Sequence, residues 1–339
     1  MNQLMLRTLF FAWLILLTLG CANTPMADGK LYKHPRLKPI IKELVDNHGY
    51  SLGELKNIFD QVKTDKEIIA RMQRPAEALP WHRYRNIFLK EDRIQMGVAF
   101  WQEHEAVLKR AEKEYGVAPE IIVSIIGVET RYGSRTGGYR VVDALTTLTV
   151  DYPKRSKFFG KELREFLAMM KREKIDPLSM TGSYAGAIGW PQFMPSSYRA
   201  YAIDFDGDGK RDLVHSVDDA IGSVANYFKR HGWETGKSVT MQVKVKGKKY
   251  RHFVQKGLKP KVALRDAGQF GVAITNMDLE LDQKGALIKL EQQDGHEFWI
   301  GLNNFYVITR YNHSALYAMA VFQLAEEIRK SRGSMANIN

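Results

Sequence analysis

Apolar positions along most of this chain recur every three or four residues, the signature of helices that bury one face. From His34 to Asn47 the stripe is Ile40, Ile41, Leu44 and Val45, and Gly49 stops it. Ser51-Leu52-Gly53-Glu54 then sets a capping box for a second helix carrying Leu55, Ile58, Phe59 and Val62. Pro75, Pro80 and the aromatic-rich run from Trp81 to Phe88 break the pattern. One long helix is expected from about Glu91 to Tyr115, through Ile94, Val98, Trp101 and Leu108, with Gly116 as its stop. Others are expected over Asp143 to Val150, over Ser156 to Lys174, and over the segment bearing Ile221, Val224 and Phe228. From Ser238 the period switches to two: Val239, Met241, Val243 and Val245 alternate with Thr240, Gln242, Lys244 and Lys246. Leu287 to Leu290, the Asp294-Gly295 turn and Phe298 to Ile300 resemble a hairpin. Residues 237–304 are therefore expected to form a small β-containing insertion in a mainly α chain. A last helix, capped near Ser314, bears Leu316, Met319 and Leu324, and a frayed tail follows it.

One run stands apart. Pro119 to Arg131 begins with a proline in the first turn and is closed by Gly133, which predicts a single helix. On it, Glu129 has Ile126, Ile125 and Ile122 as its neighbours three, four and seven residues back. A carboxylate thus sits on an apolar face in the last turn. Burial and the negative end of the helix dipole both disfavour its charged form, so an inward-turned side chain would hold its proton near neutral pH, as a general acid must. The competing arrangement has Glu129 reaching water at the helix end or pairing with Arg131 or Arg135.

Composition adds bounds. The chain has 339 residues, 45% of them hydrophobic and 26% charged, as expected of a folded protein with two or three domains. Its formal charge of +12 points to an acidic partner. No helix-turn-helix, zinc-finger or RNA-recognition signature accompanies it, and basic residues are scattered (Lys154-Arg155, Lys171-Arg172, Lys244 to Arg251), which argues against nucleic acid. At the N-terminus Arg7 precedes an apolar run from Thr8 to Gly20, too short for a membrane span of about 20 residues and suited to the core of a signal peptide over 1–20. The only cysteine, Cys21, follows at once. Leu17-Thr18-Leu19-Gly20-Cys21 resembles a bacterial lipoprotein signal, with Thr18 where Leu or Val is usual; a simple signal peptide with an incidental Cys21 is the alternative.

Two further segments carry chemistry. Thr181 to Pro195 mixes glycines and alanines with Ser183, Tyr184, Trp190, Gln192 and Phe193, a composition that suits the lining of a cleft, and no acidic residue lies between Ser183 and Gln192. Asp204-Phe205-Asp206-Gly207-Asp208-Gly209-Lys210 matches the front half of a calcium loop, with acids at positions one, three and five, glycine at six and the Lys210 carbonyl at seven. Position twelve is His215, so a later carboxylate, Asp218 or Asp219, has to close the shell. Ser216 to Asp219 is also a capping box for the next helix, and a metal-free Asp/Gly turn is the alternative.

Taken together, Gly127 to Gly133, Ser183 to Ala187, Gln192 to Tyr198, Ala220 to Phe228 and Tyr306 to Asn312 resemble the lytic murein transglycosylase B family of bacterial cell-wall enzymes. The resemblance spans nearly all of the chain after the leader, in the right order. It implies a lysozyme-like catalytic domain (106–236 and 305–331, with the calcium loop at 204–219), a helical N-terminal domain (21–105), the insertion (237–304) and a flexible tail (332–339). It implies a carbon–oxygen lyase that cleaves the β-1,4 bond between N-acetylmuramic acid and N-acetylglucosamine without water, leaving a 1,6-anhydromuramoyl end. Glu129 matches the single catalytic acid/base. Ser183 and Gln192 would hydrogen-bond substrate, Tyr227, Tyr306 and Tyr311 would line the cleft, and Arg155 would contact an acidic part of the polymer. Asp204, Asp206, Asp208, Lys210 and Asp219 match a calcium site that stabilises structure and takes no part in bond cleavage. The expected setting is a monomer in the periplasm, on peptidoglycan strands, held to the inner face of the outer membrane if Cys21 is lipidated. A hydrolytic muramidase and a non-catalytic, calcium-stabilised peptidoglycan-binding protein are the rival functions.

Overall fold

The computed structural model describes residues 31–74, 76–274 and 280–336. The leader over 1–20, Cys21 and residues 337–339 lie outside the described residues. Helices α1 (Lys38–Asn47), α2 (Leu52–Asp60) and α3 (Lys66–Met72) come first, then α4 (Trp81–Phe88), α5 (Glu91–Glu103), α6 (Glu105–Tyr115) and α7 (Pro119–Thr130). Strand β1 (Tyr139–Arg140), α8 (Val141–Asp151), α9 (Ser156–Glu173), strand β2 (Thr181–Gly182), α10 (Pro195–Tyr201) and α11 (Val217–Arg230) follow. The remainder is β3 (Thr240–Val245), α12 (Tyr250–Val254), β4 (Val262–Ala263), β5 (Val272–Ala273), β6 (Lys284–Glu291), β7 (His296–Gly301), α13 (Asn303–Tyr311) and α14 (Ala315–Ala336).

The expected capping box forms: the Glu54 amide donates to Ser51 Oγ at 3.1 Å and the Ser51 amide to Glu54 Oε2 at 2.7 Å. Three expectations are corrected. Trp81 to Phe88 is helical, because Pro80 precedes the first turn, where it costs no hydrogen bond, and Trp81 and Tyr84 share one buried face. The long helix expected over Glu91 to Tyr115 divides at His104, whose backbone ends α5 and opens α6 while its ring packs 4.6 Å from Phe100. The chain from 332 to 336, expected to be a frayed tail, continues α14. Arg332 holds it by an ion pair to Glu105 at 3.0 Å and by lying 4.7 Å over the Trp101 ring.

Three hydrophobic cores result. The largest surrounds α7, whose Ile121, Ile122, Val123, Ile125 and Ile126 are all buried, against α5, α6, α11 and α14. At about 1.5–3 kcal/mol for each fully buried aliphatic side chain, this burial fixes the helix that carries Glu129. Ser124 adds a buried hydroxyl bonded to the Val321 carbonyl at 2.6 Å, tying α7 to α14. A second core joins α1 to α3 with α8 and α9. The third belongs to the insertion, an antiparallel sheet in the order β4-β6-β7-β3-β5 closed over Phe253, Leu264, Leu287 and Ile300. Its β6–β7 hairpin is the one expected from Leu287 to Leu290, the Asp294-Gly295 turn and Phe298 to Ile300, with the turn at Gly295 (φ 91°).

Candidate active site

Glu129 lies in the last turn of α7, and the Tyr317 hydroxyl on α14 donates to its Oε1 at 2.5 Å. Among the described ion pairs neither predicted alternative partner reaches it: Arg131 pairs with Asp92 at 2.6 Å, and Arg135 has no carboxylate partner. The residue is half-buried, its carboxyl densely surrounded. That burial pushes its pKa up to about 7; the Tyr317 hydrogen bond pulls the other way, and the negative charge of Glu77 adds to the rise. Tyr311 stacks on Tyr317 with centroids 6.4 Å apart and planes 10° apart, and burial followed by the Glu129 charge raises the pKa of both phenols well above the usual value. Both therefore stay protonated hydrogen-bond donors at neutral pH.

The segment 183–193 forms the adjoining wall. Its backbone folds back on itself, with the Ser183 amide donating to the Ala187 carbonyl at 2.9 Å and Ile188 bridging Phe193. Gly189 has φ +72°, and a Cβ there would meet the Leu213 carbonyl oxygen at 2.1 Å, so no other residue fits. Two hydrogen bonds tie this wall to the neighbours of Glu129. Thr130 Oγ1 donates to the Trp190 carbonyl at 3.1 Å, and the Tyr311 hydroxyl to the Pro191 carbonyl at 2.6 Å. Buried Glu162 on α9 anchors the far end, accepting from the Ser196 amide and hydroxyl, each at 2.8 Å.

The structure thus brings Glu129, Gln192 and Tyr311 to one wall. Gln192 adopts φ +50° and spends its amide hydrogens on the Thr136 and Gly189 carbonyls at 3.0 and 2.9 Å, leaving its Oε1 as an acceptor. Ser183 Oγ accepts from the Ala187 amide at 3.0 Å. Tyr227 is buried behind Tyr311, centroids 4.8 Å apart, and its hydroxyl donates to the Arg310 carbonyl at 2.6 Å. Tyr306 is half-buried on α13. Arg155 stands exposed ahead of α9, its guanidinium 4.2 Å from the Phe158 ring centre, and no described contact links it to Glu129. Sequence reasoning missed Tyr317 and Glu77. Tyr317 lies in the last helix, 188 residues from its partner, and its helical spacing reads as core. Glu77 sits in a short 3-10 turn over 76–78 and accepts from Asn312 Nδ2 at 3.3 Å.

In the acidic loop, ligand atoms of Asp204, Asp206 and Asp219 lie within 4.8 Å of one another, and Asp208 is not in that cluster. Asp219 is fully buried and accepts from the Phe205, Asp206 and Asp212 amides at 2.6, 3.3 and 2.7 Å. Burial, opposed by those amides and reinforced by Asp206, raises its pKa. Three convergent carboxylates with one buried fit a hard cation bound through oxygen. Ser216 caps α11 by accepting from the Asp219 amide at 3.2 Å while its hydroxyl donates to Asp206 at 2.7 Å, so the cap and the acidic cluster share one residue.

Residues 33–326 match the family model described as the transglycosylase SLT domain. The chain is 42% identical over 320 residues to the membrane-bound lytic murein transglycosylase B of Escherichia coli K12, covering 91% of this chain and 87% of that one. Among solved structures it is similar to soluble lytic transglycosylase SltB1 from Pseudomonas aeruginosa (50% identity, 88% of this chain, 100% of that one, TM-score 0.82). It is likewise similar to the E. coli lytic transglycosylase Slt35 solved in complex with calcium (42% identity, 90% and 96%, TM-score 0.81). A lysozyme-like helical scaffold, matched by the family model over residues 33–326 and by a curated relative over nine-tenths of its length, places this chain in the transglycosylase SLT domain family, the lytic transglycosylases of peptidoglycan.

Proposed function

We propose that Glu129 is the acid/base of this lytic transglycosylase and acts alone in both proton transfers. The observation that carries the proposal is a carboxyl enclosed on an apolar helix face and bonded to Tyr317, with a pKa raised to about 7. Protonated, it gives its proton to the glycosidic oxygen between N-acetylmuramic acid and N-acetylglucosamine as the C1–O bond breaks. As carboxylate, it takes the proton of the muramoyl C6 hydroxyl while that oxygen bonds to C1, which closes the 1,6-anhydro ring and returns the site to its starting charge. A glycosidase that uses water needs a second carboxylate placed to activate it or to bond with the sugar. An internal nucleophile held against C1 removes that need.

Around this centre, Ser183 and the free Oε1 of Gln192 hydrogen-bond the substrate, Tyr306 and Tyr311 line the groove with Tyr227 supporting them, and Arg155 meets an acidic part of the polymer. Asp204, Asp206 and Asp219, with Asp208 and the Lys210 carbonyl completing the loop, hold a calcium ion that braces α11; Slt35, solved with calcium, supports this reading. The leader over 1–20 and lipidation at Cys21 place the enzyme in the periplasm at the inner face of the outer membrane, as a monomer. A relative named as membrane-bound supports the membrane location.

The test is the product spectrum from purified sacculi. Wild type is expected to release anhydromuramoyl ends, and Glu129→Gln to bind sacculi with turnover reduced at least about a thousandfold. New reducing ends would mark a hydrolase, and undiminished release by the variant would remove Glu129 from the chemistry.

A further inference from the structure

Beside the C-terminal end of α7 lies a cavity of about 450 Å³ in which five cations, Arg83, Lys90, Arg93, Arg131 and Arg135, face a single carboxylate, Asp92. The fold explains only two of the five. Arg131 pairs with Asp92 at 2.6 Å, and Arg93 Nη1 donates to the Gly127 carbonyl at 2.9 Å. Arg83, Lys90 and Arg135, all three exposed, have no ion-pair partner among the described residues. Grouping unneutralised like charges around one hollow is unfavourable, although water screens exposed ones. Burial above all disfavours the positive charge of Arg93; Tyr132 and Asp92 favour it, and Arg131 and Arg135 oppose it. An anion seated there would relieve the repulsion, and guanidinium groups suit a carboxylate because they offer paired donors in one plane.

The cavity is joined to the catalytic wall at two points. Arg131 is two residues beyond Glu129, at the left-handed end of α7 (φ 52°). The Arg135 amide donates to the Thr130 carbonyl at 2.9 Å, and the next residue, Thr136, offers its carbonyl to Gln192 at 3.0 Å. These bonds connect the loop that bears Arg135 to Gln192 through its own backbone. The geometry points to an anion subsite at Arg83, Lys90 and Arg135 that takes a carboxylate of the peptide stem borne by the glycan strand. This subsite rests on the peptidoglycan-cleaving reading of the cleft. It would make the enzyme prefer strands that still carry peptides over strands stripped of them.

The experiment measures equilibrium binding of glycan strands with their peptides, and of the same strands denuded by an amidase, to the full chain in a Glu129→Gln background, where nothing is cut. Replacing Lys90 and Arg135 together by glutamine leaves the Arg131–Asp92 and Arg93–Gly127 contacts in place. The expected result is a Kd for peptide-bearing strands raised at least about tenfold, the loss of one or both charge-assisted contacts, with the Kd for denuded strands unchanged. Equal weakening of both strands would reveal only general attraction of a cationic surface to the polymer and overturn the subsite. Equal binding by variant and parent would overturn it too. Turnover by the wild-type chain is scored separately, so a cleft that cuts nothing sinks the catalytic reading without touching these affinities.

Discussion

The Tyr317 hydroxyl, from the last helix, donates to Glu129 Oε1 at 2.5 Å. A hydrogen bond to a carboxylate favours its charged form, so this contact opposes the burial that raises the glutamate's pKa to about 7. An acid catalyst must be protonated, and activity should therefore fall as pH rises through that value. In Tyr317→Phe the opposing contact is gone and Glu129 holds its proton to higher pH. The alkaline limb of kcat/KM against pH should move up by about one pH unit, while kcat falls roughly tenfold as the carboxyl loses its anchor. An unmoved limb would remove Tyr317 from the tuning of Glu129.

Glu77 acts in the opposite sense, since a nearby negative charge disfavours a second one. Glu77→Gln keeps an oxygen for Asn312 but deletes the charge. The limb should shift down by about half a pH unit, with thermal stability unchanged. A pH profile superposable on wild type would show that the two carboxyls do not sense each other.

Calcium should raise the melting temperature of wild type and a chelator should lower it, because a cation bound only to the folded chain stabilises it by about 2.7 kcal/mol at a hundredfold excess over Kd. In Asp219→Asn, which removes the buried member of the cluster, the calcium response should vanish. Differential scanning calorimetry with and without chelator checks this. At temperatures well below melting, turnover should persist in both, as expected of an ion that braces α11 without entering the chemistry.

Where the signal in the sequence is local, the structure agrees with it. The Ser51 capping box, the β6–β7 hairpin and the apolar surroundings of Glu129 each depend on residues a few positions apart. Where the deciding contact is distant, the sequence is silent. Nothing near Glu129 announces Tyr317, which reads as one more core tyrosine until α14 is laid across α7. Glu77 is hidden in the same way, in a turn with no periodicity of its own. His104 shows the converse error: an unbroken helical pattern runs through it, yet its backbone leaves the helical conformation (φ −109°, ψ 24°), with the ring tilted against Phe100.

Helix α14 supplies both the phenol that touches the acid and a large share of the surface α7 rests on. The working centre consequently joins the first half of the polypeptide to its final segment. A chain cut before residue 315 would lose the Tyr317 contact to Glu129 and the surface that buries α7 together, so positioning of the carboxyl and stability of its helix cannot be separated by deletion.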